Sequence, residues 1–224
     1  MPLSLWLVLC HAASAAPGQS GLLLQGAEPI DEGQVSVGGG VIVAPVMGRA
    51  APGLIGEATV GLSDRVALHG AAVMFEDPEQ TALLHVVDLR AMLIDWRWLH
   101  VGLVATQMGF DVGPDGAPLN ALLTPQSATF GLGWVVEGGF EHVRFDTSSE
   151  ALGVHYADRA GRDWMDLPYE AGVSVLIGDH HRLRLGGPVP HLSYRYQGDH
   201  AYLETFGGPM PSLWGAGVRA GAIF

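Results

Sequence analysis

The chain has 224 residues, 48% of them hydrophobic, with 32 glycines. All 11 of its basic residues are arginines, against 23 acidic residues and a net charge of −12. That balance excludes nucleic acid as a partner, because such recognition rests on a basic surface. The length suits a single domain, and the apolar content excludes a disordered chain.

The first element is MPLSLWLVLCHAASAAPGQS. Leu3 to Cys10 is an apolar stretch, and Ala13-Ser14-Ala15 is a small-x-small cleavage site before a Pro-Gly break. Residues 1–16 therefore read as a secretory signal peptide, and 17–32 as a periplasmic linker ahead of a folded domain over 33–224. Cys10 leaves with the peptide, so the mature chain has no cysteine and needs no disulfide in an oxidising compartment.

Beyond residue 16 no apolar run approaches the length a membrane-spanning helix needs. Ten segments with period-two patterning follow instead: 33–43, 53–63, 65–75, 82–94, 96–108, 126–137, 140–146, 169–178, 181–196 and 212–224. Ser63-Asp64, Asp95, Gly138-Gly139 and Asp179-His180 read as tight hairpin turns, with His180 and His181 as solvated turn residues. The other connections, 44–52, 76–81, 109–125, 147–168 and 197–211, are longer, and short and long alternate along the chain. An up-and-down meander through a membrane sorts its loops in this way, and an even strand count returns both termini to one side.

The strand faces are unequal. Leu54, Gly56, Ala58, Val60 and Leu62 share one face, opposite Glu57 and Thr59; Phe130, Leu132, Trp134 and Val136 lie opposite Thr129, Gly131, Gly133 and Glu137. Seven arginines (Arg65, Arg90, Arg144, Arg182, Arg184, Arg195, Arg219) fall on the polar faces, with Glu57, Asp88, Glu137, Asp146 and Glu170. Charges interleaved with glycine and alanine suit a crowded polar lumen, and the apolar faces then meet lipid. The fold class is all-β: one antiparallel transmembrane barrel of about ten strands, within a range of eight to twelve, closed so that no edge remains. A soluble periplasmic ligand-binding barrel is the alternative, and it requires the opposite arrangement of faces.

The last strand, LWGAGVRAGAIF, sets Trp214, Ala216, Val218, Ala220, Ala222 and Phe224 on one face and ends on the aromatic. With the leader and the loop parity, this resembles the small outer-membrane β-barrels of Gram-negative bacteria. The resemblance implies that Trp214, Val218 and Phe224 belong to a signal read by the barrel assembly machinery. It also implies surroundings of outer-membrane lipid and lipopolysaccharide. It carries architecture and hardly any function.

Three chemistries can be read from the residues. The charged lumen residues pair and lock the barrel, or they line a narrow anion-preferring path, since seven arginines face five acids. His191 and Ser193, with Glu204 following, have the residue types of an activated nucleophile, a pattern similar to that of lipid-acting outer-membrane hydrolases. The residue after Ser193 is Tyr194 where those enzymes have Asn, and parity turns His191 and Ser193 away from the bilayer. Asp158, Asp163 and Asp166 could offer oxygen ligands to Ca²⁺, but their spacing fits no EF-hand and Arg159 and Arg162 sit among them, which reads as a solvated loop. No cofactor is implied. Acidic residues crowd the longer loops (Glu76, Asp77, Glu79, Asp111, Asp115, Glu150, Asp158, Asp163, Asp166, Asp199 and Glu204), so divalent cations bridging them to lipopolysaccharide phosphates are expected partners.

Overall fold

A computed structural model of the protein describes residues 31–46, 49–77, 80–113, 127–157, 161–163, 169–187, 191–210 and 213–224. The expected signal peptide and nearly all of the linker lie outside the described residues. The strands are β1 (Val35–Val46), β2 (Arg49–Ser63), β3 (Val66–Asp77), β4 (Gln80–Trp96), β5 (Leu99–Gly113), β6 (Ser127–Gly139) and β7 (Val143–Ala157). They continue as β8 (Gly161–Asp163), β9 (Tyr169–Ile177), β10 (His181–Gly187), β11 (His191–Gln197), β12 (Ala201–Met210) and β13 (Leu213–Ile223).

All pairings are antiparallel. β13 returns to β1 and β6 pairs with β7, so twelve strands close into an up-and-down barrel. The three-residue β8 pairs only with β7, beyond the end of β9. The terminal residue completes the closure: Val35 N donates to Phe224 O at 3.1 Å and Phe224 N to Val35 O at 2.8 Å.

Twelve strands replace the ten read from the sequence because 181–196 is two strands and 197–211 contains a third. Pro188-Val189-Pro190 separates β10 from β11, and two prolines that cannot donate to a ladder are a strand-breaking signal. In β12 the inward positions Tyr202, Glu204 and Phe206 mix charge with aromatics, which hid the alternation. Several strands also run past their expected ends, β7 reaching Ala157 instead of 146.

Five short connections, 64–65, 97–98, 140–142, 178–180 and 198–200, lie at the end that holds Val35 and Phe224. Asp199 therefore sits in a turn at the terminal end, Glu204 in β12, and Glu150 within β7 opposite Gly133; these three leave the set of outer-loop acids.

The two faces of the wall decide which side meets lipid. Leu54, Leu62, Leu89, Leu132, Val175, Leu185, Leu203 and Val218 point outward and are exposed, while Glu57, Asp88, Glu137, Asp146, Arg184, Arg195 and Arg219 are buried inside. Apolar-out and polar-in is the pattern a bilayer selects, and it is the reverse of what a soluble ligand-binding barrel requires. Trp96, Trp98, Phe140, Tyr196 and Phe224 are exposed around the terminal end, where an aromatic girdle belongs. The interior is not uniformly polar: Ile42, Ile55, Val73 and Phe206 form a buried apolar cluster, with Phe75 packed against it.

Candidate functional site: the charged lumen

The register places the lumen side chains. Tyr202 on β12 is opposite Gly221 on β13, Gly221 is opposite Gly38 on β1, and Gly38 is opposite Glu57 on β2. Side chains directly opposite share a face, so the Tyr202 ring lies across two glycines to reach Glu57, to which its phenol donates a hydrogen bond. A Cβ at either glycine would collide with that ring.

Among the described residues three ionic clusters line the lumen. In the first, Arg219 Nη1 donates to Glu57 at 2.6 Å and Nη2 to Glu204 at 2.6 Å. Arg195 Nη1 reaches the same Glu204 oxygen at 3.4 Å, and its guanidinium stacks 4.6 Å from the centre of the Tyr202 ring. In the second, Asp88 is fully buried between Arg90 Nε at 2.9 Å and His69 Nδ1 at 3.2 Å. In the third, Arg184 binds Asp146 through Nε at 3.0 Å and Nη2 at 2.5 Å. Arg182 there contacts Glu137 at 3.3 Å and Ser174 Oγ at 2.9 Å. Buried charges persist only when paired and hydrogen-bonded, since their desolvation costs several kcal/mol per ion.

Among the described residues the third cluster holds one more cation than it holds carboxylates. Arg144 faces Ser174 across β7 and β9, and its buried Nε and Nη1 have no hydrogen-bond partner among the described residues. Beside the arginines a cavity of about 640 Å³ opens at the terminal end; Arg182, Arg184, Arg195, Ser193, Gln197 and Glu204 line it. Arg182 and Arg195 are direct cross-strand neighbours on its wall, an arrangement of like charges that costs stability.

Of the lumen residues expected from sequence, Glu57, Asp88, Arg90, Glu137, Asp146, Arg182, Arg184, Arg195 and Arg219 join these pairs. Arg65 does not: β3 begins at Val66, and Arg65 is exposed in the 64–65 turn, where its N–H binds Ser63 Oγ. The side chain of Glu170 lies outside the described residues. Ser193 is buried in the lumen and Glu204 is engaged by two arginines, so neither faces the bilayer; the side chain of His191 lies outside the described residues. Asp158 and Asp166 also lie outside them, and of Asp163 only the backbone is described, opposite His155. In the last strand Val218 and Phe224 are exposed outward, and the side chain of Trp214 is not among those described.

Sequence reasoning missed Tyr202; alternation puts His69 and Ser174 on the polar faces of their strands, but does not give their partners. Tyr202 was hidden by the misread loop; His69 carried a signal, its inward parity beside Asp88 once the hairpin register is known.

No protein-family model matches the sequence, and no curated protein matches it. Among solved structures the chain is similar to the KdgM porin, at TM-score 0.58 and 5% identity, over 84% of this chain and 99% of that one. The KdgM porin in complex with disordered oligogalacturonate gives TM-score 0.57 at 4% identity, over 85% and 99%. The outer membrane phospholipase A from Escherichia coli is more distant, at TM-score 0.43 and 11% identity over 86% and 92%, and adds nothing to the argument. The fold is that of the outer-membrane β-barrels, in a twelve-stranded form.

Proposed function

We propose that this protein is an integral outer-membrane barrel whose lumen forms a narrow, anion-preferring pore. The observation that carries the reading is Arg144: six lumen guanidiniums face five described carboxylates, and the sixth is left without a hydrogen-bond partner at two nitrogens. A cavity leads from the terminal end to Arg182, Arg184 and Arg195; Glu141, Asp179, Asp199 and Glu204 also line it, so the preference is assigned to the arginines deeper in the lumen and not to the cavity as a whole. A porin of the same fold was captured with an oligogalacturonate; here the argument rests on this chain's own guanidiniums.

Purified protein in planar bilayers is expected to give small current steps whose reversal potential across a KCl gradient lies on the anion side. Arg144→Gln should move that potential toward zero. A second reading, a structural barrel with a locked lumen, is favoured by the engagement of each of those five carboxylates by a cation. Absence of any current would leave that reading standing. Residence in the outer membrane is tested separately, by fractionation with outer membranes and by altered gel migration without boiling.

A further inference from the structure

The cavity at the terminal end holds charges of both signs, and the fold sorts them by depth. Glu141, Asp179 and Asp199 line it from the turns 140–142, 178–180 and 198–200, and all three are exposed. Arg182 and Arg195 line it from the strands behind those turns, β10 and β11, where they are direct cross-strand partners. The other charged strand residues at the cavity are held closely: Arg184 by Asp146 at 2.5 Å and Glu204 by Arg219 at 2.6 Å. Among the described residues the ion pairs of Arg182 and Arg195 are longer, 3.3 Å to Glu137 and 3.4 Å to Glu204. Two guanidiniums side by side repel, and an oxyanion placed between them relieves that repulsion. Asp179 precedes Arg182 by three residues and Asp199 follows Arg195 by four, so the acidic rim stands on the order of 10 Å of strand from the arginines.

We propose that this cavity binds a small organic zwitterion, with its carboxylate between Arg182 and Arg195 and its ammonium at the acidic rim. A ligand with a single charge meets one attractive pole and one repulsive pole, whereas a zwitterion with separated charges gains at both. Ser193, buried in the same wall, adds a hydroxyl donor for the carboxylate. The occupant is a dissolved molecule and not a lipid head group, because Arg182 and Arg195 face the lumen while their strand neighbours Leu183 and Tyr194 are exposed on the outer face. The site does not require the lumen to conduct.

The test is equilibrium dialysis of 6-aminohexanoate against the barrel in a non-ionic detergent, with protein-free micelles as the blank. Hexanoate and hexylammonium are the single-charge controls. The zwitterion is expected to bind at least about tenfold more tightly than either control. Asp179→Asn combined with Asp199→Asn, both in exposed turns, should cut its advantage over hexanoate, and Arg182→Gln should cut its advantage over hexylammonium. Equal binding of 6-aminohexanoate and hexanoate by the wild-type protein overturns the inference. So does the absence of measurable 6-aminohexanoate binding, or an undiminished advantage in the folded turn variant. A barrel that passes no chloride but shows this preference loses the pore reading and keeps the zwitterion site; one that conducts anions without the preference keeps only the pore.

Discussion

Tyr202 on β12 and Glu57 on β2 are joined by a hydrogen bond across two intervening strands, each of which contributes a glycine beneath the ring. The bond ties the strand pair at the chain's C-terminal end to the hairpin at its N-terminal end, over the β1–β13 seam that closes the barrel.

Gly221→Ala is therefore expected to act through Tyr202. In the wild-type background it should cost about 1–3 kcal/mol, the penalty for disturbing a buried hydrogen bond. In a Tyr202→Ala background the same change should cost little, because the ring it strikes is gone. Urea unfolding in detergent or lipid, followed by tryptophan fluorescence, measures both. Equal costs in the two backgrounds would show that the ring is not the cause.

Arg219 holds two carboxylates at once, so Arg219→Met leaves both Glu57 and Glu204 short of a cation. A loss of about 3–5 kcal/mol is expected, the range for breaking one partner out of a buried ion pair. Adding Glu57→Gln and Glu204→Gln should recover part of that loss by removing the stranded charge. A triple variant no more stable than Arg219→Met would refute the electrostatic account.

Leu89 is exposed on the outer face of β4, one residue from the buried Asp88. Leu89→Arg should destabilise the barrel in lipid by about 2–4 kcal/mol, as a charge directed at hydrocarbon does. In short-chain detergent, where water reaches the surface, the penalty should shrink. An unchanged unfolding midpoint in lipid would mean that this face does not meet the bilayer.

Of the remaining acids expected in the outer loops, Glu76 and Asp77 end β3, Asp111 lies near the end of β5 and Asp163 ends β8, and Glu79, Asp115, Asp158 and Asp166 lie outside the described residues. In membranes containing lipopolysaccharide, Mg²⁺ or Ca²⁺ is expected to raise the unfolding temperature by bridging carboxylates to phosphates. Aspartate-to-asparagine changes at 158, 163 and 166 should reduce that gain. Identical melting in EDTA and in excess Mg²⁺ would leave these residues as a solvated face.

The local pattern of the chain determined the class of fold. Alternation along Leu54–Leu62 and along the strand ending at Phe224, together with paired tight turns, required a closed membrane barrel, because side-chain parity is a property of each strand by itself. Parity likewise put Arg184, Arg195, Arg219, Glu57 and Asp146 inside. What parity cannot carry is register, since partners such as Glu57 and Arg219 are 162 residues apart and meet only when β13 closes on β1. The two strands missed in 181–211, the exposed turn position of Arg65 and the two nitrogens of Arg144 without a hydrogen-bond partner among the described residues were all decided at that level. So was the apolar cluster at Phe206: its rings lie over glycines on neighbouring strands, and only the tertiary pairing says which glycine stands beside which ring.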